Sequence, residues 1–337
     1  MQRDTTLEAF REKVIETGYI YIYSKALLTA VKLDLFNLIG KEARSPIELA
    51  KATGCSEHGV ELLLKALVGM GFLKKKTNLY SNTRYGREIF LKGKQLYLGD
   101  ILSFHNLMWE GWNHLEESVR TGRPIREPDM FQKEREETRA FILAMHNTAM
   151  GHAESLAKMV SLKGAKRLID IGGGSGAYSI FFCKTNPGLK ATILDLPATL
   201  EVTKEIVSLF GMTHRIELLR GDYNENLPTG YDVAFLSHII HSVGEEGNRA
   251  LMRRVYGALN PGGKIIIQDF ILNKDTATPA FASTFALNML LFTEKGRTYS
   301  FEEIKGWLRA AGFKAITWPT RPKRTMPRDI SIVMAKK

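Results

Sequence analysis

Cysteine is nearly absent: Cys55 and Cys183 are the only two in 337 residues. That excludes a disulfide framework and a cysteine-only zinc site, both of which need closely spaced cysteines. Long apolar runs are missing too. No stretch approaches the roughly 18 consecutive apolar residues of a membrane span, and the opening MQRDTTLEAF has no apolar core of the signal-peptide kind. These absences predict a cytoplasmic protein with no membrane partner. A composition of 44% hydrophobic and 25% charged residues excludes disordered and collagen-like chains. Acid is the scarcer sign, with 36 Asp+Glu against 47 Lys+Arg and a net charge of +11. The excess is mostly C-terminal: residues 1–150 hold 22 basic and 19 acidic side chains, residues 151–337 hold 25 and 17. Its plainest reading is solvated surface and a basic loop beginning at Arg321 between two late strands.

What is present falls into two halves, as the length suggests. The first is helical. LLTAVKLDLFNLI spaces its apolar residues at helical intervals. Ser45-Pro46-Ile47-Glu48 is a capping box with proline at the first helical position, opening a helix that stops near Gly54. Ser56 can cap the next, in which Val60, Leu63, Leu64 and Leu67 form one apolar stripe. GFLKKKTNLYSNT then predicts a hairpin with Thr77-Asn78 at its tip. Together these elements spell a winged helix. The exposed face of its would-be recognition helix carries Glu57, His58, Glu61 and Lys65, the wrong sign for phosphate, so no nucleic-acid partner is predicted.

From Lys166 the pattern changes to short apolar runs: RLIDIGG, ATILDLP, RIELLRGD, YDVAFLSH, GKIIIQDF and SIVMAKK. Alternation with helix-forming stretches predicts an α/β fold with a mostly parallel sheet buried on both faces. Domains are assigned as 1–100 (winged helix), 101–160 (a helical linking and pocket segment) and 161–337 (the α/β domain).

The strongest local signal is LIDIGGGSG. A strand enters a glycine-rich turn (Gly172, Gly174, Gly176) that opens a helix, and Asp195 ends the next strand, followed by Leu196. Doubly wound folds place a carboxylate there to hold ribose hydroxyls. Asp170 stands two residues before the first glycine, where it would repel a pyrophosphate. With Asp222 after the third strand, three carboxylates suit a cationic, phosphate-free adenosine cofactor, S-adenosylmethionine (SAM).

The second half resembles the plant-type small-molecule O-methyltransferases (caffeate, isoflavone and acetylserotonin kinds) and their bacterial relatives. The resemblance is carried by LIDIGGGSGAYS, ILDLP, GDY, AFLSHIIHSVGEE, LNPGGKIIIQDF and GRTYSFEEIKGWLRAAGF. The first half is similar to that family's winged-helix dimerisation domain, in ALLTAVKLDLFNLI, SPIELAKATG and LLLKALVGMGFLKKK. The resemblance implies a Rossmann-like, seven-stranded SAM methyltransferase domain and a homodimer joined through the N-terminal domain. It implies SAM contacts at Gly172, Asp195, Asp222, Tyr223 and Ser237.

His241 matches the family's catalytic histidine, the general base for a hydroxyl acceptor. Asp269 matches one acid that orients it. The family's second acid falls at Gly296, with Glu294 nearby but out of register, and the usual tryptophan of W-x-x-H is His238, which can share the base role. His238 and His241 at i, i+3 make a conceivable metal pair, but without a clear third ligand no metal is predicted. Family resemblance nominates Phe104, His105, Trp109, Met145, Asn147, Met150 and Met289 around a planar, largely apolar acceptor, roofed by TFALNMLLFTEKGR. The expected activity is SAM-dependent O-methylation of a small molecule. The altered shell keeps S- or C-methylation open, and the winged helix keeps open a SAM-sensing or DNA-binding regulator.

Overall fold

Local capping decides where the first helices begin and end. The computed structural model describes residues 5–125, 131–320 and 331–337, which fall into two units, one ending at Met108 and one beginning at Trp109. The basic stretch 321–330 lies outside the described residues.

In the first unit a long helix α1 (Thr5–Lys32) is followed by α2 (Leu35–Ile39). The apolar spacing of LLTAVKLDLFNLI suggests one helix, yet it breaks at Asp34, whose φ of 54° is left-handed. Its carboxylate accepts a hydrogen bond from Asn37 (2.8 Å), and the turn lets Leu35, Phe36 and Ile39 enter the core. After the short strand β1 (Ala43–Arg44), α3 (Pro46–Thr53) starts at the expected capping box. Ser45 accepts from the Glu48 N–H, and the Glu48 carboxylate accepts from the Ser45 N–H at 2.7 Å. Helix α4 (Glu57–Gly69) is capped by Ser56 through the Gly59 N–H at 3.1 Å. Strands β2 (Leu73–Lys76) and β3 (Leu79–Asn82) form the hairpin, with Lys76 opposite Leu79, and β1 pairs with the far side of β3. Then come α5 (Arg84–Phe90) and α6 (Gly99–Trp112), which runs past the division between the units. Phe36 stacks on Phe90 with ring centroids 4.0 Å apart, closing this small core. Glu61 pairs with Lys65 at 2.8 Å, so the face of α4 carries no free basic cluster at that point. Helix α1 is different: Leu7, Phe10, Tyr19, Ile20, Tyr21 and Tyr23 along it are all more than half exposed.

The second unit contains α7 (Leu115–Thr121), α8 (Arg135–Met150) and α9 (Ala153–Met159) before the sheet begins. Strand β4 (Arg167–Ile171) leads through the glycine turn to α10 (Ala177–Thr185); β5 (Lys190–Asp195), α11 (Pro197–Leu209), β6 (Ile216–Arg220) and β7 (Tyr231–Ser237) follow. Next are α12 (Glu245–Ala258), β8 (Leu259–Asp269), the short β9 (Ile271–Leu272), α13 (Ala280–Phe292), the short β10 (Tyr299–Ser300), α14 (Phe301–Ala310), β11 (Lys314–Thr320) and β12 (Ser331–Lys336). Seven strands join in the order β11-β12-β8-β7-β4-β5-β6, and β9 pairs separately with β10. Strands β4 to β8 are mutually parallel, whereas β12 runs antiparallel to β8 and to β11.

Both sheet faces are covered, as the continuous apolar strands require. Leu168, Val233 and Ile266 face a core shared with α8 to α11, and Ile169, Ala234 and Ile265 face one shared with α12 and α14. The seventh strand, β11, is the one that the apolar runs do not announce. It sits at the edge, where Pro319 costs no ladder bond and a mixed sequence is tolerated. The strand order reverses between β4 and β7, so the carboxyl ends of these two strands open a crevice. Among the described residues, no helix is long and apolar enough to cross a membrane.

Candidate active site

The glycine turn occupies one side of that crevice. Gly172, Gly174 and Gly176 all have positive φ (65°, 53° and 73°), which carries the chain from β4 into α10. A Cβ on Gly172 would collide with Ile239 and touch Tyr223, whereas a Cβ on Gly174 would meet nothing within 4 Å. Asp195 ties the turn to the second strand. It accepts from the Gly174 N–H at 2.8 Å through one oxygen and from the Leu196 N–H at 2.7 Å through the other. With Thr199 also hydrogen-bonded to it, the carboxylate still keeps accepting capacity for a further donor such as a ribose hydroxyl. Thr203 donates to the Gly174 carbonyl at 2.6 Å from the opposite side.

The carboxylates are not equivalent. Asp170 lies beneath the turn, 1% exposed, and accepts from the Ser179 hydroxyl at 2.7 Å, while its Oδ1 has no hydrogen-bond partner. Burial raises its pKa to about 7, against the Ser179 hydrogen bond and with help from the Asp195 charge. Burial also raises Asp195, to about 6, although backbone N–H donors oppose the shift. Asp222 accepts from the Asn224 N–H (2.8 Å) in the turn that carries Tyr223, and Arg254 donates to the Tyr223 carbonyl at 3.0 Å. A cradle of open backbone ringed by carboxylates fits a phosphate-free cation bearing an adenosine better than it fits a pyrophosphate.

The second cluster stands where β7 and β8 end. Asp269 is the last residue of β8, and His241 lies on a 3₁₀ turn (Ile240–Ser242) just after β7. Nδ1 of His241 is 2.7 Å from Oδ1 of Asp269; the residues are 7% and 2% exposed. The Phe270 N–H, also 2.7 Å away, donates to the same oxygen. Burial pushes the Asp269 carboxyl up, but the His241 charge and hydrogen bond, aided by His238 and Phe270, outweigh it and hold the pKa below the usual range. An ionised Asp269 accepts from Nδ1–H and so leaves the lone pair on Nε2.

Two residues given no role in the sequence analysis hold the turn. Asn248, fully buried on α12, donates to the carbonyls of Ile240 (2.9 Å) and Val243 (3.0 Å). The hydroxyl of Tyr299 donates to the Val243 carbonyl at 2.6 Å. Asn248 has a sequence signal: it interrupts the apolar stripe that Leu251, Met252 and Val255 continue.

The family's second acid has no counterpart here. A Cβ on Gly296 would lie 2.5 Å from the His241 carbonyl oxygen, and Glu294 is exposed. His241 is therefore oriented by the single carboxylate of Asp269. That carboxylate also provides what spacing alone does not show, a third group beside the two histidines. A ring nitrogen of His238, one of His241 and an oxygen of Asp269 lie within 4.8 Å of one another. Oδ1 is committed to His241 and Phe270, which makes His241 and Asp269 a hydrogen-bonded dyad, while Oδ2 is buried with no hydrogen-bond partner.

Aromatic rings surround the dyad. Phe270 lies 6.0 Å and Phe285 5.0 Å from the His241 ring, centroid to centroid, and Phe281 lies 5.0 Å from Phe270. The segment TFALNMLLFTEKGR contributes Phe285 through α13, but sequence reasoning missed Phe270, Phe281 and Phe285 as individual residues. Of the nominated acceptor contacts, Met289 is 6% exposed on α13, and Asn147 and Met150 are buried on α8, Met150 within the core beside α9 and α10. Met145 and Trp109 are half-buried. Phe104 (buried) and His105 (exposed) belong to the first unit. Ser237 ends β7 half-buried, one residue before His238.

Comparison with known proteins agrees with these features. Residues 112–314 match the O-methyltransferase domain, and residues 16–92 match the O-methyltransferase dimerisation domain. The 3-hydroxy-5-methyl-1-naphthoate 3-O-methyltransferase of Streptomyces sahachiroi is 31% identical over 296 residues, spanning 86% of this chain and 85% of that one. A solved putative O-methyltransferase from Nostoc punctiforme superposes with a TM-score of 0.84 at 27% identity, covering 97% of this chain and 99% of that one. Human N-acetylserotonin methyltransferase in complex with SAM superposes with a TM-score of 0.87 at 22% identity, covering 100% and 99%, a likeness of fold.

Proposed function

The chain belongs to the O-methyltransferase family, and from that premise we propose that it transfers a methyl group from SAM to a hydroxyl of a small aromatic acceptor, with His241 as general base. The observation that carries the reading is the buried His241–Asp269 dyad at the strand ends facing the glycine turn. Gly174 leaves the backbone open to the cofactor, Gly172 and Gly176 let the chain turn tightly against Ile239 and Ile193, and Leu196 stands beside the turn. Asp195 and Asp222 receive its hydroxyl and amino donors. Tyr223 and Ser237 line the strand ends, and Asp170 steadies the turn from below. When bound, SAM supplies an electrophilic methyl carbon on a sulfonium.

The chain's own residues do the rest. Asp269 fixes the imidazole in the tautomer that presents Nε2 as a proton acceptor. His241 takes the proton of the acceptor hydroxyl as that oxygen becomes the nucleophile, and Asp269 stabilises the imidazolium that forms. Phe270, Phe281 and Phe285 exclude water and offer flat apolar contacts to a planar acceptor. An intact base dyad favours a hydroxyl over a thiolate, which needs no proton removed. The exposed apolar side chains of Tyr19, Ile20, Tyr21 and Tyr23 on α1, within the matched dimerisation domain, support a homodimer.

Calorimetric titration with SAM and with its demethylated product, S-adenosylhomocysteine (SAH), tests the cofactor assignment. Binding in the micromolar range is expected, and no binding at millimolar concentration would refute it.

A further inference from the structure

His238 takes no part in the dyad, yet the structure holds it there in an unusual way. Its φ of 58° is a left-handed conformation that non-glycine residues rarely adopt, and such outliers gather at functional sites. Its backbone N–H donates to the Gln268 carbonyl at 2.8 Å, which locks the bend to β8. Its ring lies 4.7 Å from Phe270 and 5.9 Å from the His241 ring, centroid to centroid. Nε2 of His238 is 3.4 Å from the side-chain amide nitrogen of Gln268, which also donates to the Tyr178 hydroxyl at 2.8 Å. Gln268 is 1% exposed, and its Oε1 has no hydrogen-bond partner. A buried polar chain from Tyr178 through Gln268 thus ends on an imidazole that is half-buried among the aromatic rings.

We propose that His238 is a specificity-determining residue that hydrogen-bonds a second oxygen of the acceptor, adjacent on the ring to the hydroxyl presented to His241. The preferred substrates are then aromatic compounds with two neighbouring oxygen substituents, a vicinal diol or an ortho-hydroxy carbonyl. This inference rests on the functional reading above. A ring nitrogen of His238 and one of His241 lie within 4.8 Å of each other, so the two imidazoles stand close enough to serve two oxygens on neighbouring positions of one aromatic ring. The charged or titratable groups facing His238 are Asp269, His241 and His152. Burial lowers its pKa to about 4 despite the pull of Asp269. At neutral pH His238 is thus an uncharged ring; with its Nε2 beside the Gln268 amide, Nδ1–H is left as the donor to an acceptor oxygen.

The test is calorimetry on the full-length, SAH-loaded protein with two probes, 2,3-dihydroxynaphthalene and 2-naphthol. The wild type should bind the diol at least ~10-fold more tightly, the discrimination of one hydrogen bond. In His238→Phe and in His238→Asn that ratio should fall to within about twofold of one. Asparagine tolerates the left-handed backbone, so the second variant reads out if the first fails to fold. A wild-type ratio near one, no diol binding at millimolar concentration, or a ratio unchanged in the variants overturns the assignment. A preference that vanishes with His238, in a protein that methylates neither probe from SAM, would instead refute the functional reading and leave the recognition role standing.

Discussion

Replacing Asp269 by asparagine isolates the charge of the dyad while preserving its shape. With Nδ1 and Oδ1 2.7 Å apart, the centres of an imidazolium and a carboxylate lie about 4 Å apart, worth about 4 kcal/mol at an effective dielectric constant near 20. The amide can still accept a neutral hydrogen bond, which recovers about 1 kcal/mol. The remaining ~3 kcal/mol corresponds to a roughly 10²-fold fall in kcat, because the imidazolium exists only once the proton has moved. The assay is SAH release with a phenolic acceptor across pH 5 to 9, on wild type, Asp269→Asn, His241→Ala and the double variant. The double variant should be no slower than His241→Ala, since the two residues act as one unit. An Asp269→Asn enzyme within threefold of wild type would refute the reasoning.

Two further outcomes follow from the same geometry. Gly296→Ala should cost about 1–3 kcal/mol of stability through overpacking, since its Cβ would stand 2.5 Å from the His241 carbonyl oxygen; an unchanged melting temperature would show that the loop yields freely. Asp170 gives a pH signature in the cofactor-free protein. A folded pKa of about 7 against an ordinary 3.8 means that its stabilising contribution is full below about pH 4 and is lost as pH rises through 7, by up to about 1.4 kcal/mol per pH unit. Between pH 5 and 8 the wild type should therefore lose more thermal stability than Asp170→Asn, and parallel melting curves would contradict the assigned burial.

Much of the architecture is local in origin and therefore legible. The capping box at Ser45 sets a helix start through a side chain three residues away. The turn from Asp170 to Gly176 couples strand, glycine and helix within seven consecutive residues. The apolar strands announced six of the seven members of the sheet, and the edge strand β11 escaped because an edge needs no continuous apolar run. The break at Asp34 escaped because the apolar spacing continues across it, and only packing against the small core shows which residues must turn inward.

The amino-acid order alone settles the chemistry on offer: a glycine turn with an acid at the second strand end, a histidine after the fourth α/β-domain strand, and an acid closing the fifth. It does so because each is tied to a strand end, and strand ends of a parallel sheet converge on one edge. Which groups meet there was decided by the tertiary structure. Residues far apart in the chain had to be brought together before Asn248 and Tyr299 could hold the His241 turn, before Gly296 could be seen to leave no room for a second acid, and before Phe270, Phe281 and Phe285 could be placed around the dyad. A local signal specifies a side chain and its backbone; a site also needs distances between segments, and only packing sets those.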